Sequence, residues 1–215
     1  MRAESARSHD PASVWMIGAA AGGLALAAAV LAAYGTGPEG IRVGLHVTAR
    51  WAFLFFWPSY AGGALAVLFG PAFAGLARRA RSMGLAFAAA LMVHIGLVVW
   101  LGVVIGQIPL PLGLFVFFLV GVFFTWLLAL LSFGIGKRKL GLLFRPLLLL
   151  GTTYILIAFG RDFVLGALDQ KAQHWRYAAE YVPFALLATI AIPLRLAAFL
   201  RQRFDMRSAL RSGTA

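Results

Sequence analysis

The chain has 215 residues, of which 62% are hydrophobic and only 12% charged, with a formal net charge of +12 and no cysteine. Soluble domains carry roughly a quarter charged residues, so this composition excludes an ordinary soluble fold. The absence of cysteine excludes disulfides, thiolate metal sites, iron–sulfur clusters and a cysteine nucleophile. A membrane-spanning helix needs about 20 mostly apolar residues, and six stretches of that kind predict an all-α, polytopic bundle. A barrel would need short alternating segments, which are missing.

Residues 1–13 read as a polar N-terminal tail. The first span, 14–34, follows basic residues and resembles a signal peptide, but its apolar run exceeds the usual 7 to 15 residues, which predicts a retained anchor. The second span, 51–77, starts where Arg42 and Arg50 have been passed and is softened by "WPSYAGG"; a proline kink with glycines for close contact is the plain reading of that motif. The uncharged run 82–136 is too long for one crossing, and "GQIPLPLG" at 106–113 divides it into a third span, 83–105, and a fourth, 112–133. The fifth, 140–160, carries Arg145 near its start. The sixth, 178–200, carries Arg195 near its end and precedes a basic tail, 201–215. Both arginines are near enough to a boundary to snorkel.

On this division fourteen basic residues fall on one side (Arg2, Arg7, Arg78, Arg79, Arg81, Lys137, Arg138, Lys139, Arg145, Arg195, Arg201, Arg203, Arg207, Arg211) and five on the other (Arg42, Arg50, Arg161, Lys171, Arg176). Basic residues in short loops stay cytoplasmic, so both termini are expected in the cytoplasm of a multi-pass protein of the bacterial inner membrane. Topology accounts for the positive charge, and no basic motif with interleaved aromatics points to nucleic acid. Trp15, Trp51, Trp100 and Trp175 fall near the expected boundaries, as interfacial aromatics do, while Trp57 and Trp126 lie deeper.

His94 is the one histidine inside a span. It lies 13 residues after Arg81 and 15 before Pro109, near mid-membrane at about 1.5 Å per residue. Ala86, Ala90 and His94 share a helical face. Two readings stay open: the alanines leave room beside the ring for something flat, or they permit close helix packing and His94 hydrogen-bonds a neighbour. His46 and His174 lie at the outer side, and neither has metal-type spacing to another histidine. Glu39, Asp162, Asp169 and Glu180 sit in outer loops or span ends, none deep enough for a proton or cation carrier. Ser59, Thr125, Ser132, Thr152 and Thr153 have no triad partners and are expected to hydrogen-bond between helices. A transporter would show broken helices in both halves, and "WPSYAGG" has no counterpart.

The stretch "RARSMGLAF" at 79–87, followed by His94 ten residues after Gly84, resembles the third helix of the ferric reductase-like transmembrane family, most closely its short bacterial branch, the haem-binding membrane subunit that supplies electrons to periplasmic methionine sulfoxide reductase. "ARWAF" at 49–53 is similar to that family's "G-x-W-A-L" helix opening. The resemblance covers about a quarter of the chain and implies haem b held by His94. It further implies electron transfer from a separate flavin reductase or membrane quinol to a periplasmic oxidoreductase, since the residues after the sixth span leave no room for a flavin domain. The family places further haem histidines on its fifth helix, after a basic loop. Here "KRK" is followed by "LGLLFRPLLLLGTTYILIAFGRD", which has no histidine, and Arg145 and Pro146 occupy the expected place. Three arrangements follow: His94 as sole axial ligand with Arg145 as a propionate partner, His46 and His174 meeting near the outer surface, or a bundle that has lost haem and serves as an assembly or interaction subunit.

Overall fold

The computed structural model describes residues 11–134, 141–169 and 175–212, which form six long helices. These are α1 (Pro11–Tyr34), α2 (Pro38–Phe69), α3 (Ala74–Ile105), α4 (Leu112–Ser132), α5 (Phe144–Leu168) and α6 (Trp175–Ser212), with single 3₁₀ turns at Pro71–Phe73 and Gly141–Leu143. Each of the six is long and apolar enough to cross a membrane. Large apolar side chains such as Val103, Leu24, Phe123 and Leu186 cover the outside of the bundle. The hydrophobic effect would oppose that surface in water, and it is what a helix bundle presents to lipid tails. The chain is a multi-pass integral membrane protein.

The helices run longer than charge-free stretches suggest. α2 begins at Pro38, ahead of residue 51: Pro38 occupies its first turn, and Arg42, His46 and Arg50 fall on one helical face that lines a cavity. It ends at Gly70, whose φ of +80° suits glycine, and Pro71 then starts the turn into α3. That Gly-Pro pair is a turn signal inside the run read as one span to residue 77. α3 therefore starts at Ala74 and contains Arg78, Arg79 and Arg81 in its first turns. α5 extends past residue 160 to Leu168, and α6 continues as helix through residues 201–212, where a tail was expected. Pro58 leaves α2 continuous. At about 1.5 Å per residue, 32-residue α2 and α3 are each about 48 Å long, more than the roughly 30 Å hydrocarbon core.

α2 and α3 form an antiparallel hairpin with the most extensive interface in the bundle. Small residues line its seam. A Cβ on Gly62 would lie 3.1 Å from Leu76 Cβ, one on Gly84 3.0 Å from Ser59 Oγ, and one on Gly44 3.3 Å from Leu97. Ala52, Ala86 and Ala90 are fully buried. Such residues let backbones approach closely, the main source of helix attraction where lipid is as apolar as the side chains.

α1 packs on the hairpin from outside, where Gly22 accommodates the Trp51 ring and Trp51 Nε1 donates to the Ala19 carbonyl at 2.8 Å. Trp51 is thus a tie between helices and not an interfacial residue. On the other side α6 packs on α2, α5 on α6, and α4 on α5. Trp57 Nε1 donates to the Leu187 carbonyl, linking α2 to α6. Phe53 and Phe56 of α2, Phe87 of α3, Phe159 and Phe163 of α5 and Phe184 of α6 form one aromatic cluster, with ring centroids 5.0 to 6.3 Å apart.

Gly62→Val should push against the backbone of Leu76, which cannot yield as a side-chain tip would. We expect a loss of about 1–3 kcal/mol, read as a lower thermal midpoint of the detergent-solubilised protein. Gly63→Val, where a Cβ meets nothing within 4 Å, should leave that midpoint nearly unchanged.

Candidate functional site

The interface between α3 and α4 is slight. Because α4 is held by α5 instead, a gap opens between the α2–α3 hairpin and the α4–α5 pair. It forms a cavity of about 630 Å³, lined by these four helices, the Pro109–Leu110 turn and Tyr181 of α6. That volume is within the range of small-molecule and cofactor sites.

His94 is on the hairpin wall of this cavity, about 30 Å along α3 from Ala74 at 1.5 Å per residue, and therefore nearer the helix end away from the arginines. Its Nδ1 is 3.1 Å from Thr48 Oγ1. Thr48 is fully buried, and its hydroxyl donates to the Gly44 carbonyl at 2.8 Å, one turn back on α2. With its only proton committed there, Oγ1 accepts from an Nδ1–H. His94 is therefore the Nδ1–H tautomer, with the lone pair on Nε2. A metal-binding imidazole is prepared in this way, one nitrogen tied to a fixed acceptor and the other left with its lone pair.

Ala86 and Ala90 do not open onto the cavity; they are fully buried in the α2–α3 seam, and Leu91, Ile95 and Val98 flank His94 on the cavity wall instead. The close-packing reading of the two alanines and the hydrogen-bonding reading of His94 both hold, and the room beside the ring comes from the α4 side.

At the end away from the arginines of α3, Arg42, His46 and Arg50 of α2 line the cavity at intervals of four residues, one helical face. Arg50 Nε donates to the Glu180 backbone carbonyl at 3.1 Å, its guanidinium is 4.6 Å above the Tyr181 ring, and its Nη2 is 3.5 Å from Glu180 Oε2. That last contact is within ion-pair range but lacks hydrogen-bond geometry, so Nη2 stays buried without a hydrogen-bond partner among the described residues. Arg42 is exposed and has no carboxylate in ion-pair range among those residues. Asp162 also lines the cavity and pairs with Arg161 at 2.8 Å. Phe118, Val122, Ile155 and Phe159 make the facing wall apolar.

Of the residues singled out in the sequence, His94 and His46 share this cavity. Arg145 does not: it is exposed in the first turn of α5 and lines neither this cavity nor the second one at the other end. Its role as a propionate partner has no geometric basis, because the α5 start lies at the end of the bundle opposite Arg42 and His46. His9 and His174 lie outside the described residues, so the pairing of His46 with His174 does too. Among the described residues no group of three His, Cys, Asp or Glu side chains could hold a metal ion. Sequence reasoning missed Thr48, whose partner is 46 residues away. His46 and Arg50 are one helical turn apart in the sequence reading, but Arg42, which the same four-residue spacing adds to that face, was missed.

The cavity holds His94 in its wall, with Arg42, His46 and Arg50 at one end. It offers no second histidine from α5. Comparison with family models, with curated proteins and with solved structures finds no match.

Thr48→Val keeps the shape and removes the acceptor. A loss of about 1 kcal/mol in stability is expected. Thr48→Ser, which keeps the hydroxyl, should retain most of it; thermal midpoints of the three proteins check this.

Proposed function

We propose that this chain binds haem b in the cavity through His94 and serves as the membrane component of an electron-transfer system. In this reading it carries electrons from a separate flavin reductase or membrane quinol, across a bacterial inner membrane, to a periplasmic oxidoreductase. The observation that carries the reading is the His94–Thr48 pair, which leaves Nε2 as a ligand inside an apolar cavity. The resemblance of residues 79–94 to the ferric reductase-like family points the same way.

When bound, haem supplies a one-electron change at iron. His94 Nε2 holds the metal, and Thr48 fixes the plane and tautomer of the ring. Arg42 sits where anionic groups would need counter-charge, and Phe118, Val122 and Phe159 would keep water from the wall opposite His94. No histidine of α4 or α5 lines the cavity, so His94 would be the histidine that holds the iron.

A second reading, a non-redox assembly or interaction subunit that keeps the bundle without haem, is favoured by the same apolar wall and by the absence of histidine from α5. The two are separated by absorption spectra of the detergent-purified protein from haem-sufficient cells, oxidised and dithionite-reduced. The haem reading expects a Soret band that shifts on reduction and disappears in His94→Ala, while His46→Ala retains haem. A colourless, folded wild-type protein would reject haem and leave the second reading.

A further inference from the structure

A second cavity, of about 290 Å³, lies at the arginine-rich end of the bundle. Arg81 of α3 and Arg195 of α6 line it from different helices, together with Ser59, Tyr60, Ser132 and Thr152. The Arg195 guanidinium is 4.3 Å from the Tyr60 ring centroid, and its Nη1 donates a long hydrogen bond, 3.4 Å, to Thr152 Oγ1. These contacts position the side chain but do not neutralise it. Among the described residues no carboxylate is in ion-pair range of Arg195 or Arg81. Asp205, the described acid at this end, lies ten residues further along α6, about 15 Å at helical rise.

The hydroxyls around the cavity do not supply an anionic partner either. Ser59 donates to the Ala80 carbonyl, Ser132 to Leu128 and Thr152 to Leu148, all at 2.8 Å, so each presents lone pairs inward. The guanidinium fork of Arg195 retains most of its five donors for a ligand. Phe56, Phe87, Leu128 and Leu148 supply apolar walls. Arg195, half-buried in α6, and the exposed Arg81 beside it place two positive charges next to apolar walls, which favours an anion joining them.

We propose that this cavity is a binding site for an anionic phospholipid of the leaflet at the arginine-rich face. Arg195 and Arg81 take its phosphate-bearing head group, and the apolar walls take the first part of its acyl chains. A phosphate accepts a bidentate fork from arginine, and a lipid, unlike a free anion, fills both parts of the site. The proposal is independent of whether the other cavity holds haem.

The test is native mass spectrometry of the detergent-purified protein titrated with phosphatidylglycerol, phosphatidylcholine or inorganic phosphate. The expected result is one tightly retained phosphatidylglycerol, preferred about tenfold or more over phosphatidylcholine and not displaced by millimolar phosphate. Arg195→Gln and Arg81→Gln should each weaken it several-fold, Arg195→Lys less, and Arg161→Gln, an exposed cation at the other end, should not. Equal retention of the two lipids, displacement by phosphate, or equal weakening by Arg161→Gln would each overturn the proposal. If Arg195→Gln does not fold, the wild-type selectivity and exposed Arg81 decide alone.

Discussion

The arrangement of this bundle rests on one constraint, the close antiparallel seam between α2 and α3. Gly44, Ala52, Gly62, Gly84, Ala86 and Ala90 keep the two backbones near each other along most of their length. In lipid no hydrophobic force draws apolar helices together, so close dispersion contact and hydrogen bonds must do so. The seam sets a register in which Gly62 meets Leu76, Phe56 meets Phe87, Thr48 meets His94 and Gly44 meets Leu97. One sliding step of the hairpin would separate every pair at once. The chemistry of His94 is thus a consequence of glycines and alanines that never touch it.

The same economy of polar groups positions the other helices. Trp51 reaches the α1 backbone, Trp57 the α6 backbone and Tyr154 of α5 the Phe117 carbonyl of α4. Each is a donor that would otherwise face hydrocarbon unpaired. Arg201 donates to the Leu68 carbonyl at the end of α2, where unpaired carbonyls and the negative end of the helix dipole favour a cation. α4 is hydrogen-bonded toward α5 in this scheme, and its slight interface with α3 goes with the two cavities described above, both lined by α3 and α4.

Six spans were legible because hydropathy over 20 residues depends little on neighbours. The ends of α2 were not, since Arg42 and Arg50 look like loop residues until an internal cavity and Glu180 are seen beside them. His94 could be singled out from its depth alone, but its partner Thr48 depends on the register of two helices, and spacing within one helix carries no such information. Arg145 was chosen by alignment to an expected pattern on the fifth helix. Its exposure and its place at the far end follow from the direction of α5, which no local motif encodes. Of the hydroxyls expected to cross between helices, Ser59 and Thr153 do, to Ala80 and Tyr60; Thr125 and Ser132 turn back to their own helices, and Thr152 donates to its own helix while accepting from Arg195 of α6.

The two cavities meet at Thr125 and Ile155, which line both. This partition bears on what could pass between them. Thr125 spends its proton on the Gly121 carbonyl, Ile155 is 3% exposed, and Phe87 and Phe159 stand beside them in the aromatic cluster. A polar solute or an ion crossing here would lose its hydration with little in return, and rings held in close contact leave no second arrangement in view that would open a path. The partition therefore keeps the two cavities apart as separate sites, with His94 on one side and the arginine pair on the other, each reached from its own end of the bundle.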